Sequence, residues 1–146
     1  MGKLLAIAYK KASREPMEEV SNTNISNEMG LENDYKGSKS AKRQITILLR
    51  EDWESACKHL NKTIDWKVRR ANLYMDGISI KQSKGKIIKI GDEIILEVMG
   101  ETKPCYRMDE QIQGLTLALM KDWKGGVCCK VIQGGNLKVG DNIEID

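Results

Sequence analysis

Two seven-residue segments of this chain repeat one another. Ile88-Lys89-Ile90-Gly91-Asp92-Glu93-Ile94 lines up with Leu137-Lys138-Val139-Gly140-Asp141-Asn142-Ile143, from position 88 to position 137, an offset of 49. Each reads as strand, Gly-Asp turn, strand. Glycine relieves the backbone where the turn needs positive φ, and the aspartate can bond its own turn amides. Such units are common in small β-barrels, where short turns join short strands. Seven matched positions leave a duplication open.

The remaining apolar runs point the same way. Residues 4–9 and the β-branched stretch 44–49 (QITILL) read as strands. Residues 66–74 alternate well enough for a third, with Trp66, Val68, Arg70 and Asn72 on one face and Ile78 and Ile80 continuing it. Residues 127–132 give another strand. Two helices interrupt them. In 51–61, Trp53, Ala56, Cys57 and Leu60 recur at i, i+3, i+4, i+7. In 108–123, Met108, Ile112, Leu115 and Leu119 form a stripe, Asp109-Glu110 suits the positive end of the helix, and Gly125-Gly126 ends it. No βαβ alternation is visible, so the fold class is mainly β with two helices, a barrel or sandwich with appended helices.

A chain of 146 residues makes a single domain, 1–146. Within it, residues 10–43 are rich in Lys, Glu, Ser, Asn and Gly, which reads as a long polar loop with room for one hairpin. Loops of that length inside a compact domain are often functional. Lys36, Lys39, Lys42 and Arg43 make part of it basic, but without interleaved aromatics or a recognition motif no nucleic-acid partner is expected. The net charge of +3 is too small to argue for nucleic acid or a membrane by itself. No run approaches the roughly 18 apolar residues of a membrane span, and the first residues lack a secretion signal, so a cytoplasmic protein with reduced cysteines is expected.

Chemistry concentrates at Lys103-Pro104-Cys105. Proline fixes the backbone before the cysteine, Lys103 and Arg107 lie two residues to either side, and a helix is expected to start just after it. Each of these favours thiolate over thiol. A buried, inert cysteine is the commoner case, and it fits Cys57, on an apolar helix stripe. Cys128 and Cys129 are strand neighbours facing opposite ways, one core and one wall. The single His59 falls off its helix's apolar face. That leaves no zinc site, no hydrolytic triad and no strong general base. In a strand, Arg69 and Arg70 point apart, so one of them at most faces a given cleft.

Several motifs, in order, resemble the MOSC domain, the C-terminal module of molybdenum cofactor sulfurases, which also occurs as small free-standing bacterial proteins. They are Gly30-Leu31-Glu32-Asn33-Asp34 with Gly37, Arg43-Gln44-Ile45-Thr46, Arg69-Arg70-Ala71-Asn72-Leu73 with Gly77-Ile78, Ile90-Gly91-Asp92, Pro104-Cys105, Gly125-Gly126-Val127 and Val139-Gly140-Asp141. Asn33 stands where a glycine is common, Tyr35-Lys36 replaces a frequent histidine-containing variant, and Lys124 stands where arginine is frequent.

The resemblance implies a MOSC-type β-barrel like that of the pyruvate kinase barrel domain, with a cleft holding Cys105. It implies that Cys105 carries sulfur as a persulfide or ligates molybdenum. It also implies that Arg43, Arg70, Asn72, Lys103 and Lys124 hold the molybdenum cofactor, cations suiting its pterin phosphate. The expected function is cofactor binding or sulfur carriage in cofactor sulfuration or delivery. The alternatives are a molybdenum-dependent reductase component acting on N-hydroxylated compounds and a non-catalytic interaction module. No pyridoxal-phosphate site or desulfurase domain is evident, so a cysteine desulfurase or other sulfur donor is expected as partner. A molybdoenzyme acceptor or a reductase is expected on the other side.

Overall fold

The computed structural model describes residues 1–35 and 37–146; Lys36 of the basic stretch lies outside the described residues. The elements run β1 (Gly2–Tyr9), β2 (Glu18–Val20), β3 (Asn22–Ser26), β4 (Gly30–Leu31), β5 (Ile45–Leu49) and α1 (Arg50–His59). A 3₁₀ turn (Trp66–Arg69) then leads to β6 (Leu73–Asp76), β7 (Ile87–Ile90), β8 (Ile94–Glu101), α2 (Arg107–Gln111), α3 (Leu115–Leu119), β9 (Val127–Gln133), β10 (Gly135–Lys138) and β11 (Asn142–Ile145).

Seven strands in the order β11-β7-β8-β9-β5-β6-β1 close into a barrel through the β1–β11 pairing. Closure removes the sheet edges that would otherwise invite aggregation. The period-2 pattern decides which side chains go inside. Ile45, Ile47 and Leu49 of β5 enter the barrel with Leu73, Met75, Ile88, Leu96, Val98, Val127, Cys129 and Val131. Leu48 points outward instead, into a second apolar layer with Ala6, Ala8, Trp53, Ala56, Cys57, Trp66, Met108, Leu115 and Leu119. That layer seats the helices against the barrel wall, and each large side chain so buried contributes about 1.5–3 kcal/mol. A register shift between Leu4 and Ala6 lets Leu4 and Ile7 both face inward.

Four readings of the sequence are corrected. The expected strand 66–74 is a 3₁₀ turn capped by Asp65, whose carboxylate accepts from Lys67 N at 2.8 Å. Arg70 follows at φ +63, the strand begins only at Leu73, and it ends at Asp76, before Ile78 and Ile80. The expected helix 108–123 is two five-residue helices, because Ile112 is extended and Gly114 sits at φ +89. The described residues therefore hold three short α-helices rather than two. Finally, β5 and β6 pair in parallel around α1, a crossover unit within an otherwise antiparallel barrel.

The loop 10–43 carries β2, β3 and β4. β2 extends the sheet beside β1, while β3 joins β10 and β4 in a three-stranded sheet. Ile25 and Leu31 from this segment join the barrel interior. Asn33 is at φ +67, the left-handed region that asparagine tolerates better than most residues.

The repeated Gly-Asp segments are not repeated hairpins. The first turn joins β7 to its partner β8, whereas the second joins β10 to β11, which lie in different sheets. Both glycines have positive φ, +60 at Gly91 and +97 at Gly140. The two turns meet where β11 pairs with β7: Gly91 N donates to Asn142 O at 2.9 Å. Asp141 Oδ2 accepts from Lys138 N at 2.9 Å, closing its own turn.

Candidate functional site

Where β5 and β6 enter the barrel and β1 and β8 leave it, a cleft of about 610 Å³ opens. Its walls come from four places: the segment after β1 (Lys10, Ser13, Arg14, Met17), the β5 entry (Arg43, Thr46, Ile47), the 3₁₀ turn and its exit (Arg69, Arg70, Ala71, Asn72), and 102–111 (Thr102, Lys103, Cys105, Arg107, Met108, Glu110, Gln111). Asp34 and Gly125 complete it. Among the described residues the lining holds seven cations, Lys10, Arg14, Arg43, Arg69, Arg70, Lys103 and Arg107, against two carboxylates, Asp34 and Glu110. A chain of net charge +3 thus gathers an excess of five positive charges in one place.

Cys105 is the one exposed cysteine of the four; Cys57, Cys128 and Cys129 are buried. Burial pushes the Cys57 thiol up and holds Cys129 protonated far above the ordinary thiol range. Cys129 lies in the barrel interior, while Cys128 faces the other way, its thiol 3.7 Å from the Gly100 carbonyl. The Cys105 carbonyl accepts from Met108 N at 3.0 Å and from Thr116 Oγ1 at 2.8 Å. Thr116 N in turn donates to Asp109 Oδ1 at 2.9 Å, which pins both short helices behind the cysteine. Since α2 has only five residues and starts at Arg107, its dipole lends Cys105 less than a long helix would.

Arg69 was expected to face away from Arg70, and it does not. A 3₁₀ turn followed by a left-handed residue abolishes strand alternation, so both guanidiniums reach the same cleft. Arg69 is set into the wall: Nε donates to Gly125 O at 3.1 Å and Nη2 to Thr102 O at 2.8 Å. Three of its five N–H groups find no acceptor among the described residues. Burial lowers its pKa, the charge of Cys105 opposes that, and Arg43 adds to it, which puts all three within electrostatic reach. Gly125 is needed here for space, since a Cβ would stand 2.5 Å from the Thr102 oxygen and 3.3 Å from Arg69 Nη2. At Gly126, φ is +97 and a Cβ would lie 2.1 Å from the Ile47 oxygen. Gly126 therefore seats the start of β9 against β5, and Gly125 makes room for Arg69 and the Thr102 carbonyl, rather than the pair ending a helix.

Of the other sequence candidates, Arg43, Arg70, Asn72 and Lys103 line the cleft with Cys105. Arg70 donates to the Glu15 carbonyl and so holds the segment after β1 as a wall. Asn72 is buried, and its amide braces the barrel: Oδ1 accepts from Thr46 N at 3.0 Å and Thr46 Oγ1 at 3.1 Å, and Nδ2 donates to Ala8 O at 3.2 Å. Lys124 lies apart, its Nζ donating to Ser55 Oγ on α1 at 3.1 Å. Gln44 ties β9 to the segment beyond β3, accepting from Val131 N at 2.8 Å and donating to Asn27 O.

Sequence reasoning missed Arg69, Lys10, Arg14 and Thr102. The Asp65 cap two residues before Lys67 was the available signal for a turn there. Thr102 Oγ1 is buried in the cleft wall with no hydrogen-bond partner among the described residues. The described residues contain no group of three His, Cys, Asp or Glu placed to hold a metal. No helix among them is long and apolar enough to cross a membrane.

The chain is similar over nearly its whole length to solved structures. The YuaD protein from Bacillus subtilis superposes with a TM-score of 0.83 at 18% identity, covering 99% of this chain and 96% of that one. YiiM from Geobacillus stearothermophilus gives 0.79 at 14% identity, covering 100% and 75%. YiiM from Escherichia coli gives 0.73 at 18%, covering 99% and 69%. At these identities the likeness is one of fold. Among curated proteins no significant match is found. Residues 34–144, which run from before β5 into β11 and include Cys105, match the MOSC domain, and the chain belongs to that family.

Proposed function

We propose that this chain holds the molybdenum cofactor, or sulfur destined for it, at Cys105. The observation that carries the reading is an exposed cysteine opening into a cleft whose lining has seven cations and two carboxylates. The residues suit the group. Guanidinium and ammonium side chains match a pterin phosphate, and the orphaned Thr102 hydroxyl is a polar atom awaiting a partner. A cleft of about 610 Å³ is within the range that takes small cofactors. A soft thiolate suits either a high-valent molybdenum–sulfur centre or a sulfane sulfur.

In this reading Arg43, Arg70 and Lys103 neutralise the phosphate, and Arg69 fixes the positive charge beside Cys105. The cofactor, when bound, supplies the metal and its sulfur ligands. Sulfur arrives from a separate donor, a cysteine desulfurase or another, and leaves to a molybdoenzyme or a reductase. Elemental and pterin analysis of protein made in a molybdate-replete host, wild type against Cys105→Ala, tests the metal-holding branch. Incubation with a cysteine desulfurase and cysteine tests the sulfur branch, read as a gain of one sulfur mass. Molybdenum or sulfur present in wild type and lost in Cys105→Ala is expected. Neither metal, pterin nor added sulfur in wild type overturns the proposal.

A further inference from the structure

Arg14, Arg43, Arg69, Arg70, Lys103 and Arg107 all line the Cys105 cleft, and none makes an ion pair among the described residues. The ion pairs given for the described residues lie elsewhere, on Lys11, Arg50, Lys67 and Lys81. Positive charge gathered around a nucleophilic sulfur and left unneutralised does something specific. It cancels the repulsion that a thiolate meets when it attacks a dianion. A persulfide presented on a partner protein needs no such help, whereas a small anionic sulfur donor does.

Resting on the sulfur-carrying reading of Cys105, we infer that the cleft accepts sulfane sulfur directly from the thiosulfate dianion. The Cys105 thiolate attacks the outer sulfur of the donor. A Cys105 S–S bond forms, the donor's S–S bond breaks, and sulfite leaves with the bonding electron pair. Charge balances, a monoanionic thiolate and a dianionic donor giving a monoanionic persulfide and dianionic sulfite. No oxidant or reductant is required. Arg69 is the positioning residue. Its guanidinium is clamped by the Thr102 and Gly125 carbonyls, and its remaining N–H groups are fixed donors for the sulfonate oxygens as charge grows on them.

The test treats the full chain with thiosulfate and follows sulfite release and the gain of one sulfur mass. One sulfite per chain is expected in wild type and none in Cys105→Ser. Electrostatic steering in such clefts is worth about ten-fold or more in rate. Arg69→Gln should therefore slow loading about ten-fold, and by more than it slows alkylation of Cys105 by neutral iodoacetamide, with Arg69→Lys recovering part of it. Should Arg69→Gln disturb folding, exposed Arg43→Gln and added salt give the same readout, each slowing loading from thiosulfate only. A parallel arm supplies a cysteine desulfurase and cysteine. Loading there but not from thiosulfate overturns this inference and leaves the carrier reading standing. Loading from neither source overturns both, and loading from thiosulfate that ignores salt, Arg43 and Arg69 overturns the role given to the cations.

Discussion

Asn72 separates a brace from a ligand, and replacing it with alanine measures the difference. The amide accepts from Thr46 N and Thr46 Oγ1 and donates to Ala8 O, so it knits β1, β5 and the entry to β6 at the rim of the cleft. Removing it orphans the backbone N–H of Thr46, at about 1–3 kcal/mol, and forfeits the bond to Ala8, at about 1 kcal/mol. Asn72→Ala should therefore destabilise the fold by about 2–4 kcal/mol, which for a domain of this size lowers Tm by roughly 5–15 °C. Urea unfolding read by the fluorescence of Trp53 and Trp66, both buried, gives the value directly. The slope with denaturant should stay unchanged, because the surface exposed on unfolding is nearly the same. Thr46→Val should couple to it, the double variant losing less than the sum, since both sit in one network. A loss below about 0.5 kcal/mol at constant slope, the range of an ordinary surface substitution, would refute the brace. Asn72 would then have to act on whatever occupies the cleft.

Two further outcomes follow from groups away from that rim. Burial, and after it the neighbouring Glu51, raises the Asp52 carboxyl to about 6; Asp122 adds to this and Lys124 opposes it. A folded pKa above the unfolded one means stability that is fully present below about pH 4 and lost as pH rises through about 6. The carboxylate is partly solvated, so the worth is discounted to about 1 kcal/mol. Asp52→Asn should thus be the more stable protein at pH 8 and show a flatter pH profile in urea titrations; equal slopes between pH 4 and 7 would contradict the assignment. Separately, iodoacetamide should label native protein rapidly at Cys105 alone, and at all four cysteines in denaturant. Peptide mass mapping that finds Cys57, Cys128 or Cys129 labelled as fast as Cys105 would mean the barrel wall opens.

What could be read from the residues was whatever rests on period-2 burial. The strands at 44–49 and 127–132 and the turn at Gly91 follow from alternation and turn chemistry, and the barrel follows from them. Cys105 was legible because proline and two cations mark it within a few residues. The errors have one physical origin, which is local backbone geometry that side-chain periodicity does not encode. Trp66, Val68, Arg70 and Asn72 alternate, yet Asp65 caps a 3₁₀ turn there and Arg70 sits at φ +63, so two consecutive arginines converge on one cleft. The stripe Met108, Ile112, Leu115, Leu119 keeps helical spacing across a break at Gly114, because both short helices bury their apolar residues in the same layer. Lys10 and Arg14 were invisible for a different reason. They come from a polar segment whose place beside the cleft is set by Arg70 reaching the Glu15 carbonyl and by Asp34 Oδ1 accepting from Lys10 N at 3.1 Å. Those contacts join residues 24 or more apart in the chain. The cysteine could be found by inspection, whereas the charge that gives it a purpose is assembled only by the fold.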